Sequence, residues 1–149
     1  MTHLEKRQLR YPETDVFHYL NINPKQKITG DCVIRAISSV LNQDWKTTAK
    51  ELYELSLKTC YTFNDRKNIH KYMESKGWIK LKQPRKKDNT KYTGKEFCKK
   101  LNEINLPTNN RNRILANIGG HHMVAIIAGK VYDSWNSTNG CIGNLYVRK

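Results

Sequence analysis

The apolar period of this chain changes at Arg113, and that change constrains the fold more than any other feature. Before it, apolar residues recur at helical spacing. Val33, Ala36, Ile37, Val40 and Leu41 draw one stripe along a helix, with Thr29 or Asp31 available as its N-cap. Trp45 to Lys58 repeats the pattern through Ala49, Leu52, Tyr53 and Leu55. Asp65 to Lys76 does so through Ile69, Tyr72 and Met73, with Gly77 as the stop. "WIKLK", from Trp78, alternates as a short strand, and "GKEFCKKLNEI", from Gly94, reads as a fourth helix ended by Pro107. After Arg113, "RILANIGGHHMVAIIAGKVYDSWNSTNGCIGNLYVRK" is dense in β-formers, and Gly129-Lys130 parts two apolar runs as a hairpin turn does. Helices first and strands later predict an α+β fold in which an N-terminal helical layer packs on a C-terminal antiparallel β-sheet.

A length of 149 residues suits one domain over 1–149 with a core that needs no staples. Within it, residues 1–20 are ambiguous and allow a short N-terminal arm, and 83–95 form a basic loop. Lys and Arg number 27 against 13 Asp and Glu, a formal charge of +14. A field of that sign favours nucleic acid, an acidic protein or an anionic surface as partner. Much of the charge lies in "KLKQPRKKDNTKYTGK", Lys80 to Lys95, broken by Pro84 and Asp88-Asn89-Thr90. Such a run reads first as a solvated loop and second as a partner-binding patch carried by Arg85, Lys86 and Lys87. Tyr92 is its only aromatic residue, so the stacking platform of a single-strand binder is missing from the segment.

Cys32, Cys60, Cys98 and Cys141 are far apart, with no Cys-x-x-Cys pair to suggest a zinc or redox site. No leader-like h-region opens the chain, and no apolar run approaches the roughly 18 to 20 residues of a membrane span. The expectation is a cytoplasmic protein with reduced thiols, no membrane partner, no metal and no cofactor.

Cys32 stands where "TGDC" runs into the first apolar-periodic helix. A thiol attacks only as thiolate, and the partly positive start of a helix favours that form. Gly30 would let a substrate backbone approach, and Cys32 precedes the apolar stripe where a structural cysteine would sit. A base and its orienter are on offer further on: His121 and His122 in "GGHHMVAI", placed on one strand, and Asp133 in "VYDSW" on the strand returning from the turn. Adjacent residues of a strand face opposite sides, so only one histidine can point at Cys32.

The order Cys at a helix start, His in a later strand and Asp after it resembles the papain-like cysteine peptidases. "QKITGDC" places Gln26 ahead of Cys32 at the interval of that family's oxyanion-hole glutamine. "HMVA", His122 to Ala125, is similar to its His-x-Val-Ala strand, which selects His122 over His121. "DSW", Asp133 to Trp135, matches its orienting residue followed by Ser-Trp, with Asp in place of Asn. The bacteriocin-processing leader peptidases resemble the chain too, and carry Asp there. The likeness covers Lys25 to Leu41 and Gly119 to Trp135, as in a minimal bacterial or phage member of the superfamily. The chain departs from papains around the nucleophile, where Asp31 and Val33 flank Cys32 and the Asp31 carboxylate opposes the helix effect on the thiol.

The resemblance implies a papain-like fold and a Cys32-His122-Asp133 triad. Cys32 N–H and Gln26 would form the oxyanion hole, and Trp135 would cover the His122–Asp133 bond. The activity implied is hydrolysis of a peptide or isopeptide bond in a protein or peptide, acidic by the charge argument. Two other readings use the same residues: an inactive papain-like scaffold whose basic surface binds nucleic acid or an acidic protein, and an acyl transferase of the transglutaminase or deamidase type.

Overall fold

In the computed structural model, which describes residues 1–149, the chain runs α1 (His3–Arg10), β1 (Phe17–Tyr19), α2 (Cys32–Leu41), α3 (Trp45–Thr59), α4 (Arg66–Ser75), β2 (Trp78–Leu81), α5 (Gly94–Lys99), β3 (Arg113–Ile118), β4 (His122–Ile127), β5 (Lys130–Asp133) and β6 (Ile142–Arg148). The six strands form one sheet in the order β1-β5-β4-β3-β6-β2. The fold is α+β. The sheet is mixed rather than antiparallel, because β1 lies parallel to β5, Phe17 opposite Val131 and Tyr19 opposite Asp133.

Strand alternation divides the core in two. Leu115, Met123, Ala125 and Tyr146 face α2, α3 and α4, packing against Val33, Ile37, Leu52 and Met73. Ile114, Ala116, Val124, Ile126 and Leu145 face the other way, against Phe97, Leu101, Ile104 and Leu106. The helices therefore do not form one layer. Burial on both faces explains why β3 and β4 read as continuous apolar runs rather than alternating ones.

The expected fourth helix ends at Lys99, well short of Pro107, and lies on the face away from α2. A capping box starts it: Thr93 accepts from the Glu96 N–H, and Glu96 accepts from the Thr93 N–H. Residues 1–20, where the sequence left a short arm open, form α1 and the edge strand β1. Helix α1 has its own capping box between Thr2 and Glu5, and Arg7 Nη2 donates to the Ser134 carbonyl at 2.5 Å. The β4–β5 turn is Ala128-Gly129, with φ of 50° and 77°, and Lys130 already belongs to β5. Two successive left-handed residues match the twist of the flanking strands and set the register that carries the site. No helix is long and apolar enough to cross a membrane.

The basic segment folds back on itself. Arg85 bridges Lys91, the Lys86 N–H donates to the Thr90 carbonyl, and Asn89 takes the left-handed conformation. Lys86 is committed inward, paired with Glu96 and set over the Tyr92 ring. Arg85 and Lys87 stay exposed.

Candidate active site

Three elements distant in sequence deliver three side chains to one place. Cys32 is the first residue of α2, His122 the first of β4 and Asp133 the last of β5. Ala125 stands opposite Tyr132 across the β4–β5 ladder, which carries His122 and Asp133 to the same end of the pair. His122 Nε2 lies 2.6 Å from Asp133 Oδ2. The other ring nitrogen is left for the thiol.

Electrostatics favour an ion pair. Burial pushes the Cys32 thiol up, but the nearness of His122 and of the Met123 backbone, with the charges of His122 and Arg35, brings it net below the ordinary thiol value. Burial pushes His122 down; the hydrogen bond to Asp133 and the nearby Cys32 thiol outweigh it and raise the imidazole to about 9. The two shifts run in the directions that thiolate and imidazolium impose on each other. No bond of standard hydrogen-bond geometry joins Sγ to the ring, a separation that resting catalytic pairs often show and that a bound substrate tightens.

The start of α2 is open. Asp31 occupies the N-cap position yet makes no side-chain cap bond. Its carboxylate is turned to Arg35 Nε at 2.8 Å, Asn23 Nδ2 at 3.0 Å and Trp45 Nε1 at 2.9 Å. The first N–H groups of the helix are therefore free to act on charge at Cys32. The same diversion answers the opposing effect expected of Asp31, since its charge is spent on Arg35.

Arg35 is the residue that sequence reasoning missed. It is buried, and its Nη1 donates to Asp133 Oδ1 at 3.0 Å while Nε holds Asp31, so one guanidinium ties the helix that begins at Cys32 to the carboxylate bonded to His122. Asp133 is almost wholly buried and also accepts from Ser134 N and Ser137 Oγ. With His122 and Arg35 it has four donors. Two signals in the sequence pointed this way: Arg35 is the only charge in "CVIRAISSVL", and it stands four residues after Asp31.

The remaining candidates are placed as follows. His121 lies in the exposed turn before β4, not on the strand, and borders a cavity of about 380 Å³ together with His122 and Trp135. The Trp135 ring sits 5.0 Å from the His122 ring and is 41% exposed, so it shields the imidazole from outside rather than filling the core. Gly30 is exposed, and a Cβ there would meet nothing within 4 Å, leaving the approach beside Cys32 open. Gln26 makes no bond to Cys32. It takes a φ of 54°, and its Nε2 donates to the Asn21 carbonyl at 2.9 Å, one amide hydrogen remaining. Buried Asn21 and Asn23 organise this loop, and Asn23 links it to Asp31. No three His, Cys, Asp or Glu side chains converge as a metal-ligand set.

No protein-family model, curated protein or solved structure matches the chain. The geometry of the site is therefore the ground on which a function is argued.

Proposed function

We propose that the protein is a papain-like thiol hydrolase that cleaves a peptide or isopeptide bond through Cys32, His122 and Asp133. The observation that carries this reading is the approach of His122 to a buried carboxylate at 2.6 Å while it stabilises the thiolate of a helix-start cysteine. Ordinary packing does not call for that combination.

In the reaction, the Cys32 thiolate attacks the substrate carbonyl carbon, and the carbonyl π electrons move onto oxygen. The N–H groups at the open start of α2 face the developing oxyanion, each such donor contributing on the order of 3 kcal/mol in comparable sites. Gln26 is the side-chain candidate for a second donor, by its resemblance in position. Collapse breaks the C–N bond as His122 gives its proton to the leaving amine, and the acyl group stays on sulfur. Water then attacks the thioester with His122 as base, returning acid and free thiol. Asp133 keeps its proton affinity low beside His122 and Arg35, and holds the ring rather than taking a proton.

The net charge of +14 supports an acidic substrate protein. The test is covalent labelling with an electrophilic peptide and a ubiquitin-like probe, mapped by mass spectrometry. Modification of Cys32 that requires His122 supports the reading. Labelling that spreads over Cys60 and Cys141 with no His122 dependence overturns it.

A further inference from the structure

On the face of the sheet that carries α4, reached from His122 through its neighbour Met123, lies a cavity of about 200 Å³ bordered by Arg66, Lys80, Gln83, Asn117, Met123 and Tyr146, among others. Small-molecule sites run from about 300 Å³ upward, so this one suits a single side chain. It is joined to the catalytic machinery at two points. Met123 follows His122 directly, and it belongs to the core cluster against which Cys32 packs. Arg66 Nη2 and Asn117 Nδ2 both donate to the Gly120 carbonyl, at 3.1 and 3.2 Å, in the turn that leads into His122.

The charge of this cavity is one-sided. Arg66 and Lys80 form no ion pair, and the cavity is lined by no carboxylate. The acid acting on Tyr146 is Glu74, and it is engaged with His70 at 3.3 Å. Gly143 leaves room for Asn117, since a Cβ at that position would come within 2.9 Å of the Asn117 Oδ1. The amides of Gln83 and Asn117 are engaged with the Ile142 and Gly120 carbonyls, so the charge that the lining offers a carboxylate comes from the two cations.

We propose that this cavity is a specificity subsite that receives an acidic side chain, Asp or Glu, of the substrate, read by Arg66 and Lys80. The inference rests on the peptidase reading above and narrows it: the sequence placed partner choice in Arg85 to Lys87, and the cavity places the reading of the cleaved segment beside the turn that leads into His122.

The experiment has two arms. In the first, peptidyl vinyl sulfones with Glu or Gln scanned over four acyl-side positions are compared by their second-order rates of Cys32 inactivation. Glu is expected to exceed Gln at one position by at least about tenfold, the size that one charge-assisted hydrogen bond supports. Arg66→Gln and Lys80→Gln each reduce that ratio, which as a Glu-to-Gln comparison within one variant is independent of any change in the basal reactivity of Cys32. In the second arm, N-acetyl-glutamate amide and N-acetyl-glutamine amide are titrated into the Cys32→Ala protein. Only the glutamate compound is expected to shift the backbone resonances of Asn117, Met123 and Tyr146, and Arg66→Gln abolishes the shift. Shifts without vinyl sulfone labelling keep the subsite and overturn the peptidase reading. Labelling with equal rates for Glu and Gln, or a preference unchanged in both variants, overturns the subsite.

Discussion

Arg35 Nη1 lies 3.0 Å from Asp133 Oδ1, so the carboxylate that holds His122 by one oxygen is itself held by the other. Because Arg35 also binds Asp31, one guanidinium serves two buried carboxylates, of which Asp133 is also bonded to His122. Removing one partner of a buried pair strands the rest, typically at about 3–5 kcal/mol. Arg35→Met is expected to lower the melting temperature by roughly 10 °C or more and to slow Cys32 labelling. The double change Arg35→Met, Asp31→Asn should recover part of the stability, because one stranded charge has gone. Thermal unfolding of the three proteins checks this; a single variant as stable as the parent would show that the network is not coupled.

The four thiols should separate by reactivity. Cys60 and Cys141 are exposed, Cys98 is buried with its thiol pushed up to about 12 by desolvation, and Cys32 is half-buried with its thiol held down. At neutral pH, limited iodoacetamide should modify Cys32 first despite its lower exposure, since reaction follows the thiolate fraction. Raising the pH moderately should leave Cys98 protected, since burial holds its thiol up at about 12. Peptide mapping at two pH values reads the order. Faster reaction at Cys60 or Cys141 at neutral pH removes Cys32 from the nucleophile's role.

How much of this was legible beforehand depended on sequence distance. Cys32 was readable because helix start and apolar stripe are local patterns, and His122 and Asp133 because a hairpin turn brings nearby residues together. Arg35 was not, because its second partner lies 98 residues away and an isolated charge in a helix reads as solvated. Strand β1 escaped for the same reason. "FHY" carries no period of its own and becomes a strand only by lying parallel to β5. The single helical layer failed because α5 is too short to show which face of the sheet it covers.

Turnover should follow a bell-shaped pH profile. Its acid limb marks loss of the Cys32 thiolate and falls below the ordinary thiol range; its alkaline limb marks loss of the His122 proton, near 9. The stability linkage of His122 has a definite sign. Its folded pKa is raised, so its contribution is complete below 6.5, the unfolded reference value, and is lost as pH rises through about 9. Cys32 titrates in the opposite sense, so the comparison is best made in proteins carrying Cys32→Ala. There, adding His122→Ala should flatten the alkaline decline in melting temperature, which begins at lower pH without the thiolate.

His121 and His122 should behave differently under alanine substitution. His122 bonds Asp133 and faces Cys32, whereas His121 lies exposed in the turn. His122→Ala should abolish turnover and return the Cys32 labelling rate to that of an ordinary thiol at neutral pH. His121→Ala should leave the labelling rate within about twofold, as surface changes usually do. The reverse ranking would exchange the two residues' roles while leaving the fold as described.

The basic turn offers the last test, because its three cations are not equivalent. Lys86 is tied to Glu96, whose carboxyl is lowered to about 2 by that bond and by the Thr93 N–H. Glu96 in turn caps α5, so Lys86 serves the turn's own architecture. Arg85 and Lys87 are exposed; Arg85 spends Nη1 on the Asn89 carbonyl at 3.0 Å, within the same turn. Neutralising Arg85 and Lys87 together should weaken retention on an immobilised polyanion such as heparin, and flatten its salt dependence, with Cys32 alkylation unchanged. Lys86→Gln alone should change retention less. Equal retention of the double variant and the parent at low salt would make the segment a solvated turn, and the long-range field of the remaining cations would then account for any attraction to acidic partners. A fall in Cys32 alkylation would instead require contact between this turn and the active site, which lies on other elements.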